Sequence, residues 1–452
     1  MQTEFNRRDF MRSTAAIGAG LFVGGNAIGQ AGSNKDTINI ALIGGGSQGQ
    51  ILSDAILRLG RDAGIRFVAV CDIWEQVNLR RMSRRLDAYG RFGHKGTPYV
   101  DYKEMLDTEK DIDAVIVATP EFWHAEHTIA ALEKGCHVYC EKEMCNTVEG
   151  ARKMVEASNR TGKLLQIGHQ RRSNPRYQYT YDKLIREAQL LGRITTVNGQ
   201  WNRSRASCED LGWPDGSEID EATLNKYGFK DMHQFRNWRW FRGLGGGPIV
   251  DLGSHQIDIY SWFLGCEPKS VIASGGTDYW PGHEWYDTVM AIYEYDTPAG
   301  MVRAFYQTLT TSSSNGYFET FMGDEGTLVI SEAAARGSLY RENWVPEDKW
   351  APWVEKGYLR EVVRADAAAD DGDVVLDVRE GTVAAAEYSI PATMTVPYHQ
   401  PHLVNFFDAI RGKAELTCPG QVGYETAVTV LKVNEAVEKE RRLEFKPEEF
   451  KV

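Results

Sequence analysis

Three ionisable residues in the second half of the chain have the types and spacing of a proton-transfer site. Asp251, His255 and Asp258 lie four and three residues apart in GGGPIVDLGSHQIDIYSW, so they share one face if this stretch is helical. On such a face Asp251 can hold the imidazole of His255 in one tautomer and increase its basicity. An imidazole of this kind, beside a lysine, can remove a hydroxyl proton while a hydride leaves the same carbon. Taken alone, His255 would more often be a structural histidine.

A second group of residues, near the N-terminus, has the spacing of a phosphate-binding turn. The apolar strand Ile38–Ile43 runs into GGGSQG, and the next stretch, ILSDAILRLG, has helical periodicity. Gly44 would permit the tight turn, Gly46 would let the backbone approach a pyrophosphate, and Gly49 would let the helix pack closely on the sheet. Free N–H groups at the start of that helix would face the phosphates. The predicted residues of this turn are Gly44, Gly45, Gly46, Ser47, Gln48 and Gly49.

An acidic residue follows the turn at the distance expected for ribose binding. Asp72 ends the second predicted strand, IRFVAVC, and lies 23 residues after Gly49. Its carboxylate can accept hydrogen bonds from both ribose hydroxyls and would repel a 2′-phosphate. The sequence therefore favours NAD as the cofactor, while Arg80 and Arg81 keep NADP open as an alternative.

Alternating strands and helices over residues 34–165 predict a Rossmann-type nucleotide-binding domain built from parallel βαβ units. The carboxyl ends of parallel strands meet at one edge of the sheet, where ligands bind. Four predicted strand ends carry candidate ligands, and these are the glycine turn, Asp72, Thr119 with Pro120, and Glu141 with Lys142. Their convergence on one edge is a stronger indication of nucleotide binding than the glycine motif alone.

Residues 166–452 show a different pattern, in which strand-like segments follow one another with few helices. Segments from ITTVNGQWNRS to GTLVISE predict an α+β domain with a large, mostly antiparallel, open-faced sheet. Residues 331–397 are less regular and are predicted to be an insertion. A sheet with one uncovered face usually needs a partner, so we expect a homo-oligomer.

The composition argues against nucleic-acid binding. The chain of 452 residues has 51 basic and 63 acidic side chains, a formal charge of −12 and no basic block. Seven scattered cysteines imply no disulfide framework. Neither these cysteines nor the histidines near the C-terminal end have the spacing of a zinc site, so no metal is expected.

The first 33 residues resemble an export signal rather than part of the fold. NRRDFMR holds two adjacent arginines followed by a phenylalanine and a basic residue, which is typical of a twin-arginine signal. The apolar stretch from Ala15 to Ile28 is shorter than the roughly 20 residues of a membrane span. We therefore expect the twin-arginine export machinery as a partner, a periplasmic location and no membrane span.

Longer motifs give a specific resemblance. IGGGSQG, ATPEFWH, GCHVYCEKE, GGGPIVDLGSHQID, DEGTLVI and HLVNFFDAIRG resemble the glucose–fructose oxidoreductase, inositol dehydrogenase and rhizopine-catabolism (Gfo/Idh/MocA) family over residues 36–440. The resemblance implies an NAD(P)-dependent oxidoreductase that takes a hydride from a sugar-like hydroxyl. It implies that His255 is the general base, that Lys142 orients and polarises the substrate oxygen, and that Asp251 supports both. It also implies that the loop with Thr119, Pro120 and His124 lies along the cofactor.

One residue departs from the family pattern. The family motif Glu-Lys-Pro falls on Glu141, Lys142 and Glu143, so a glutamate replaces the usual proline. In the family the bond before that proline is often cis. A cis bond before a residue other than proline costs about 2.5–4 kcal/mol, so the bond before Glu143 is either trans or held cis by its surroundings.

The sugar-like substrate is implied by the resemblance, and local residues agree with it. Trp238 and Arg239 precede the glycines of the helix, where aromatic faces suit the C–H faces of a pyranose, although these aromatics could be core residues. Gln170 and Arg171, at a strand end, could bind hydroxyls or a carboxylate, or form an ion-pair patch. The residues assigned to substrate binding are Gln170, Arg171, Trp238, Arg239 and Asp258.

Export and a nicotinamide cofactor together suggest a hypothesis. Because free cofactor is not supplied outside the cytoplasm, NAD would have to be bound before export, held tightly and regenerated in place. The protein would then oxidise one sugar and reduce another. The alternative is a redox-neutral glycosidase similar to the NAD-dependent N-acetylgalactosaminidases, which forms a transient 3-keto sugar and eliminates the glycosidic bond. A non-catalytic sugar-binding protein on the same fold is a second alternative.

Overall fold

The computed structural model describes residues 37–333, 335–363 and 386–452. The predicted export signal at residues 1–33 and the acidic stretch RADAAADDGD lie outside the described residues. Within the described ranges, no helix combines the length and the apolar character needed to cross a membrane.

The N-terminal half contains a parallel sheet of six strands. They are β1 (Ile38–Ile43), β2 (Ile65–Cys71), β3 (Thr97–Tyr99), β4 (Ala114–Val117), β5 (His137–Cys140) and β6 (Leu165–Ile167). Their spatial order is β3–β2–β1–β4–β5–β6, which is the order of a Rossmann fold. The last strand extends the sheet slightly past the predicted boundary at residue 165. The parallel, nucleotide-binding type of sheet is therefore confirmed.

Helices cover both faces of this sheet, so its central strands β1 and β4 are apolar except for Asn39 near the start of β1. The helices are α1 (Ser47–Leu57), α2 (Arg80–Ala88), α3 (Tyr102–Thr108), α4 (Glu121–Glu133), α5 (Val148–Thr161) and α6 (Pro175–Tyr179). α5 shows why such segments begin and end where they do. Thr147 accepts a hydrogen bond from the N–H of Gly150 at its start, and Gly162, with φ +65°, ends it.

The second sheet has ten strands. They are β7 (Ile194–Asn202), β8 (Ser270–Gly276), β9 (Thr288–Thr297), β10 (Gly300–Leu309), β11 (Tyr317–Gly323), β12 (Gly326–Ile330), β13 (Gly337–Arg341), β14 (Arg360–Glu361), β15 (Ala386–Ser389) and β16 (Leu443–Glu444). The order is β14–β15–β13–β12–β11–β7–β10–β9–β8–β16, and only β7 and β10 pair in parallel. The large, mostly antiparallel sheet is confirmed.

The interpretation of residues 331–397 as an irregular insertion was wrong in part. The segment supplies β13, β14 and β15, which extend the second sheet at one edge, and a helix, α10 (Glu347–Glu355), in which Trp350 is buried. Leu339 of β13 pairs with Leu328 and is fully buried. These strands are only two to five residues long, which leaves too few residues for a recognisable alternation.

The helix that carries Asp251, His255 and Asp258 is present and runs between the two halves of the molecule. The remaining helices are α7 (Glu221–Lys226), α8 (Met232–Arg236), α9 (Gly247–Leu264), α11 (Gln400–Ile410) and α12 (Gly420–Lys439). α9 is buried on most sides, because one side meets the second sheet and another meets α12. Tyr260 donates to the carbonyl of Phe305 at 2.9 Å, and Asn434 donates to the carbonyl of Gly246 at 2.8 Å.

Residues 203–246, which we call the covering segment, connect β7 to α9 and form a small core with the first half. Ile219, Leu224, Phe229 and Leu244 pack with Trp74, in the segment after β2, and with Phe122 and Trp123, in the first turn of α4 after β4. The indole of Trp74 donates to the carbonyl of Ser217 at 2.6 Å, and that of Trp123 donates to the carbonyl of Tyr227 at 3.0 Å. The covering segment therefore lies over the edge of the parallel sheet where ligands bind.

Candidate active site

A single cavity of about 590 Å³ extends along the carboxyl ends of the parallel strands. The covering segment and the inner face of the second sheet form its other walls. The predicted site residues that line it are Gly44, Gly46, Ser47, Gln48, Asp72, Thr119, Pro120, His124, Glu141, Lys142, Gln170, Trp238, Arg239, Asp251 and His255. Four predicted residues, Gly45, Gly49, Arg171 and Asp258, are not part of this wall. The proposed cofactor and proton-transfer residues thus meet in one space.

The glycine turn has the geometry that a dinucleotide requires. Gly44 has φ +99°, and a Cβ atom there would lie 2.5 Å from the carbonyl oxygen of Ala118. A Cβ at Gly49 would lie 1.9 Å from the carbonyl oxygen of Gly44, so only glycine allows α1 to approach. At Gly46 the nearest atom to such a Cβ would be 3.8 Å away, which leaves room for a ligand. No side chain caps the N-terminus of α1, so its N–H groups can bind phosphate oxygens.

Asp72 joins the glycine turn to the loop that follows β2. Its carboxylate accepts hydrogen bonds from the N–H of Gly45 at 2.7 Å, the N–H of Trp74 at 2.8 Å and the amide of Asn78 at 3.2 Å. Burial raises the pKa of Asp72 to about 6, even though these three hydrogen bonds favour its charged form. The carboxylate lines the cavity, as ribose binding requires. Its contact with a ribose stays a prediction.

Lys142 and Asp251 connect the two halves of the site. The ammonium group of Lys142 donates to the backbone carbonyl of Asp251 and to its Oδ1, the latter at 3.1 Å. Arg239 Nε lies 3.4 Å from Oδ2. Burial alone would raise the pKa of Asp251, but the positive charges of Lys142, Arg239 and Arg203 outweigh it and hold that pKa well below its usual range. Asp251 is therefore a carboxylate at every relevant pH.

The predicted hydrogen bond between Asp251 and His255 was wrong. No hydrogen bond joins the two side chains, and Nδ1 of His255 is buried without a partner among the described residues. Asp251 turns towards Lys142 instead, because an ammonium group within reach is a stronger partner than a neutral imidazole. Burial and the charges of Lys142 and Arg171 lower the pKa of His255 well below its ordinary value. The imidazole is therefore neutral and able to accept a proton.

Arg171 and Asp258 were wrongly assigned to substrate binding. Arg171 is fully buried and pairs with Glu319 and with Glu332, the latter at 3.0 Å. Asp258 is also buried, and it accepts hydrogen bonds from Arg172 and Thr426. Arg171 joins the segment after β6 to the second sheet, and Asp258 joins α9 to that segment and to α12, and neither residue lines the cavity. Sequence spacing placed them near the site but could not show that their charges were already paired.

His124 holds two loops of the cofactor site together. Its Nδ1 lies 2.8 Å from the carbonyl oxygen of Glu143, and its Nε2 lies 2.7 Å from the carbonyl oxygen of Thr119. Burial lowers the pKa of His124 to about 4, although both carbonyls favour the charged form. The residue thus links the loop after β4 to the loop after β5, where Lys142 is found.

Glu143, which stands in place of the family's proline, is buried beneath the site. The peptide bond between Lys142 and Glu143 is cis. One carboxylate oxygen accepts a hydrogen bond from the N–H of Met144 at 2.8 Å, and the other has no partner among the described residues. Burial raises the pKa of Glu143 to about 8, so the side chain is a neutral carboxylic acid at neutral pH.

The sequence analysis missed several residues of the cavity, among them Glu121, Trp201 and Arg203. Glu121 follows Pro120 at the same strand end, and it accepts a hydrogen bond from the N–H of Gly246 at 2.9 Å. Burial and the charge of Asp251 raise its pKa to about 7. Trp201 and Arg203 lie at the end of β7, and the ring of Trp201 is 5.4 Å from that of His255. Glu121 could have been found from its position, but Trp201 and Arg203 belong to no motif.

This arrangement defines a class of protein. A Rossmann-type sheet with a glycine turn, a second, mostly antiparallel sheet, and a neutral histidine and a lysine that line one cavity are the features of a two-domain, dinucleotide-binding protein. Comparison with family profiles agrees. Residues 38–169 match the oxidoreductase family with an NAD-binding Rossmann fold, and residues 182–329 match the GFO/IDH/MocA C-terminal domain. Together the two matches span more than half of the chain, which therefore belongs to the GFO/IDH/MocA family and has an NAD-binding domain.

Individual relatives are similar over part of the chain. The chain is 29% identical over 227 residues to 1,5-anhydro-D-fructose reductase of Ensifer adhaerens, a match that covers 50% of this chain and 59% of the relative. It is 28% identical over 229 residues to D-glucoside 3-dehydrogenase of Escherichia coli, covering 50% of this chain and 54% of the relative. The chain thus spans a little over half the length of these two curated relatives.

Solved structures share the fold over nearly the whole chain. Levoglucosan dehydrogenase in complex with NADH and levoglucosan has a TM-score of 0.65 and 19% identity, and the match covers 90% of this chain and 99% of that one. The WlbA dehydrogenase of Bordetella pertussis, in complex with NADH and UDP-GlcNAcA, has a TM-score of 0.64 and 18% identity, with 91% and 98% covered. At this level of identity the likeness concerns the fold alone.

Proposed function

We propose that this protein oxidises a secondary hydroxyl group of a sugar or sugar derivative, with NAD(P) as the hydride acceptor. The observation that carries the proposal is the convergence of the glycine turn, Lys142 and a neutral His255 in one cavity. The relatives named 1,5-anhydro-D-fructose reductase and D-glucoside 3-dehydrogenase support a sugar as the substrate.

The residues of the cavity divide the reaction between them. His255 accepts the proton of the hydroxyl group, since its imidazole is neutral and lines the cavity. Lys142 donates a hydrogen bond to the same oxygen and stabilises the negative charge that develops on it, while Asp251 fixes the lysine. The nicotinamide ring, when bound, supplies the acceptor for the hydride that leaves the carbon. The hydroxyl carbon becomes a carbonyl: the hydride that leaves the carbon, which is two electrons and one proton, would pass to the cofactor, and the second proton, from the hydroxyl group, passes to His255.

The test is reduction of the cofactor by sugars. The purified protein, supplied with NAD or NADP, is expected to increase its absorbance near 340 nm when a pyranoside with a free 3-hydroxyl group is added. His255→Gln should abolish that increase, and His233→Gln should not, because His233 is an exposed residue of the covering segment paired with Asp210. An unreactive wild type that still binds the sugar would favour the non-catalytic binding protein.

We further propose that the cofactor is held tightly, and the covering segment supports this. The segment packs over the loop after β2 and the first turn of α4, where the indoles of Trp74 and Trp123 donate hydrogen bonds to its backbone carbonyls. The wild type should keep NAD(H) through gel filtration, as measured by absorbance. Trp74→Ala, which opens this contact, should lose it. Trp344→Ala is the matched control, because Trp344 is 65% exposed and does not line the cavity.

The redox-neutral glycosidase is a second candidate, and Glu121 favours it. A retained cofactor would re-reduce the sugar within one site, and elimination of a glycosidic bond needs an acid near the reacting carbon. Glu121 lines the cavity, and its pKa of about 7 leaves much of it protonated at neutral pH. Release of an aryl alcohol from an aryl glycoside without added NAD would support this route. Absence of release, together with cofactor reduction, would support the oxidoreductase.

Export and self-association complete the proposal. The motif NRRDFMR supports export through the twin-arginine route to the periplasm, and replacement of Arg7 and Arg8 by lysine should leave the protein in the cytoplasmic fraction.

Exposed apolar side chains on β8 and β9 support a homo-oligomer. Ile272 pairs with Ile292 across these strands, and both are nearly half exposed. Light scattering after gel filtration would measure the mass, and a monomer would contradict this part.

A further inference from the structure

We propose that the sugar bound in this cavity carries a carboxylate, and that Arg203 and Arg239 bind it. The inference deepens the proposed function and depends on it, because it names the class of substrate that the same site takes. It comes from the distribution of charge around Asp251, where three cations face one carboxylate.

Arg203 is a charged residue of the cavity wall without a carboxylate partner among the described residues. It follows β7 directly, and its backbone N–H donates to the carbonyl of Leu309 at 2.8 Å, which fixes the start of the side chain. Its guanidinium lies 5.5 Å from the centre of the Trp201 ring. The same ring is 5.4 Å from that of His255 and stacks on Tyr317 at 4.6 Å. Arg203 is therefore held close to the proposed reaction centre on a rigid aromatic support.

Arg239 offers a second guanidinium to the same space. It stacks over the ring of Trp238 at 4.3 Å, and among the described residues its one ion pair is the 3.4 Å contact with Asp251. The side chain is 45% exposed and lines the cavity, so most of its N–H groups remain available to a ligand. A guanidinium is planar, and two N–H groups on one edge match the two oxygens of a carboxylate.

The carboxylates of this part of the cavity do not balance these cations. Asp251 already has Lys142 as its partner. Glu332 is paired with Arg171, and Glu121 has a pKa raised to about 7, so its charge is partial at neutral pH. An added anion would therefore complete the charge balance, whereas a neutral sugar would leave Arg203 without a carboxylate partner and Arg239 with only its 3.4 Å contact to Asp251.

The arginines beside the site that have a structural role are paired with carboxylates. Arg171 is paired with two glutamates and Arg172 with Asp258, each at about hydrogen-bond distance. A buried or half-buried cation without such a partner costs stability, so it is expected where a ligand supplies the missing charge. Within the part of the chain that the structure describes, Arg203 lacks such a partner. A hexuronate or its glycoside has the required carboxylate on a pyranose ring.

The experiment compares matched sugars by isothermal titration with the NAD-loaded protein. Methyl β-D-glucuronide is expected to bind at least about tenfold more tightly than methyl β-D-glucoside, and its affinity should fall as salt is added. Arg203→Gln should weaken binding of the glucuronide about tenfold and leave the glucoside unchanged, with Arg203→Lys intermediate. Arg205→Gln is the control, because Arg205 lies two residues away, is 63% exposed and pairs with Glu209. It should bind both sugars like the wild type.

The outcomes separate this inference from the proposed function. The proposal that the sugar carries a carboxylate would be contradicted by equal binding of the two sugars or by tighter binding of the glucoside. Tighter binding of glucose 6-phosphate than of the glucuronide would contradict it as well. A glucuronide preference that Arg203→Gln leaves intact would overturn the assigned residues. Reduction of NAD by neutral sugars alone would overturn the inference and keep the proposed function. Tight glucuronide binding that depends on Arg203, without reduction of NAD by any sugar, would support the carboxylate-binding site and contradict the proposed oxidation.

Discussion

The ammonium group of Lys142 lies 3.1 Å from Oδ1 of Asp251 and also donates to the backbone carbonyl of that residue. Lys142 follows β5 of the parallel sheet, and Asp251 lies in the second turn of α9. This contact joins the two halves of the molecule at the point where the cofactor and the sugar would meet. It also orients the lysine, because two acceptors on one residue leave its third donor for a ligand.

Replacement of Asp251 by asparagine is expected to lower kcat by about 10²-fold with little change in cofactor affinity, since the lysine loses its counter-ion and its orientation. Steady-state kinetics with a reactive sugar would measure kcat, and fluorescence titration would measure NADH binding. Glu209→Gln, at an exposed residue of the cavity mouth, serves as the control. An Asp251→Asn protein with the wild-type kcat would show that this contact has no part in the reaction.

The pH dependence of the reaction should reflect the depressed pKa of His255. A histidine with an ordinary pKa near 6.5 would be protonated, and so inactive as a base, below that pH. Because burial and nearby cations lower the pKa of His255 well below 6.5, the base stays neutral in mildly acidic solution. We therefore expect kcat/KM to show no decline with an apparent pKa near 6.5 when the pH is lowered from 8 to 6. A sigmoidal loss centred at pH 6.5 would contradict this picture of the site.

The sequence predicted the elements of the site better than their contacts. Apolar runs such as Ile38–Ile43 and the alternating strands of the second half follow from burial alone, so both sheets could be foreseen. The spacing of Asp251 and His255 placed both on one helix, which is correct. It could not reveal that Lys142, distant in sequence, takes Asp251 as its partner. Long-range pairing of charges depends on the packing of the two halves, which local periodicity does not encode.

The covering segment is a second feature that local periodicity could not predict. Residues 203–246 contain only short helices, and their apolar residues have no regular period. Their core forms with Trp74 and Trp123 of the first half, so its existence depends on a contact between distant parts of the chain. For this reason the cavity wall that contains Arg203 could not be predicted from the sequence, whereas the glycine turn could.

Glu143 should make the stability of the protein fall as the pH rises. The folded protein keeps its proton up to about pH 8, whereas an unperturbed glutamate loses it near pH 4.5. Between these values the folded state binds more protons than the unfolded state, so the unfolding free energy falls by up to about 1.4 kcal/mol for each pH unit. Glu143→Gln removes this titration. Its Tm relative to the wild type should therefore rise between pH 6 and pH 8.5.

The control for that measurement is Glu149→Gln, because Glu149 is an exposed residue of α5 whose side chain is 67% accessible. Its Tm should follow the wild type across the same range. A Tm difference for Glu143→Gln that stays constant from pH 6 to pH 8.5 would show that the buried carboxyl does not titrate there. In that case the residue would contribute through packing alone.

Arg171 provides the sharpest contrast between a structural and a ligand-binding arginine. The side chain is fully buried with Glu319 and Glu332, and burial raises the pKa of Glu319 to about 7 even though Arg171 opposes the shift. Arg171→Met leaves two buried glutamates without their cation and should destabilise the protein by about 3–5 kcal/mol, as measured by urea unfolding. The triple variant Arg171→Met, Glu319→Gln, Glu332→Gln should recover part of this loss, because no charge is then buried alone. If Arg171→Met instead unfolded like the wild type and weakened sugar binding, Arg171 would be a substrate residue after all.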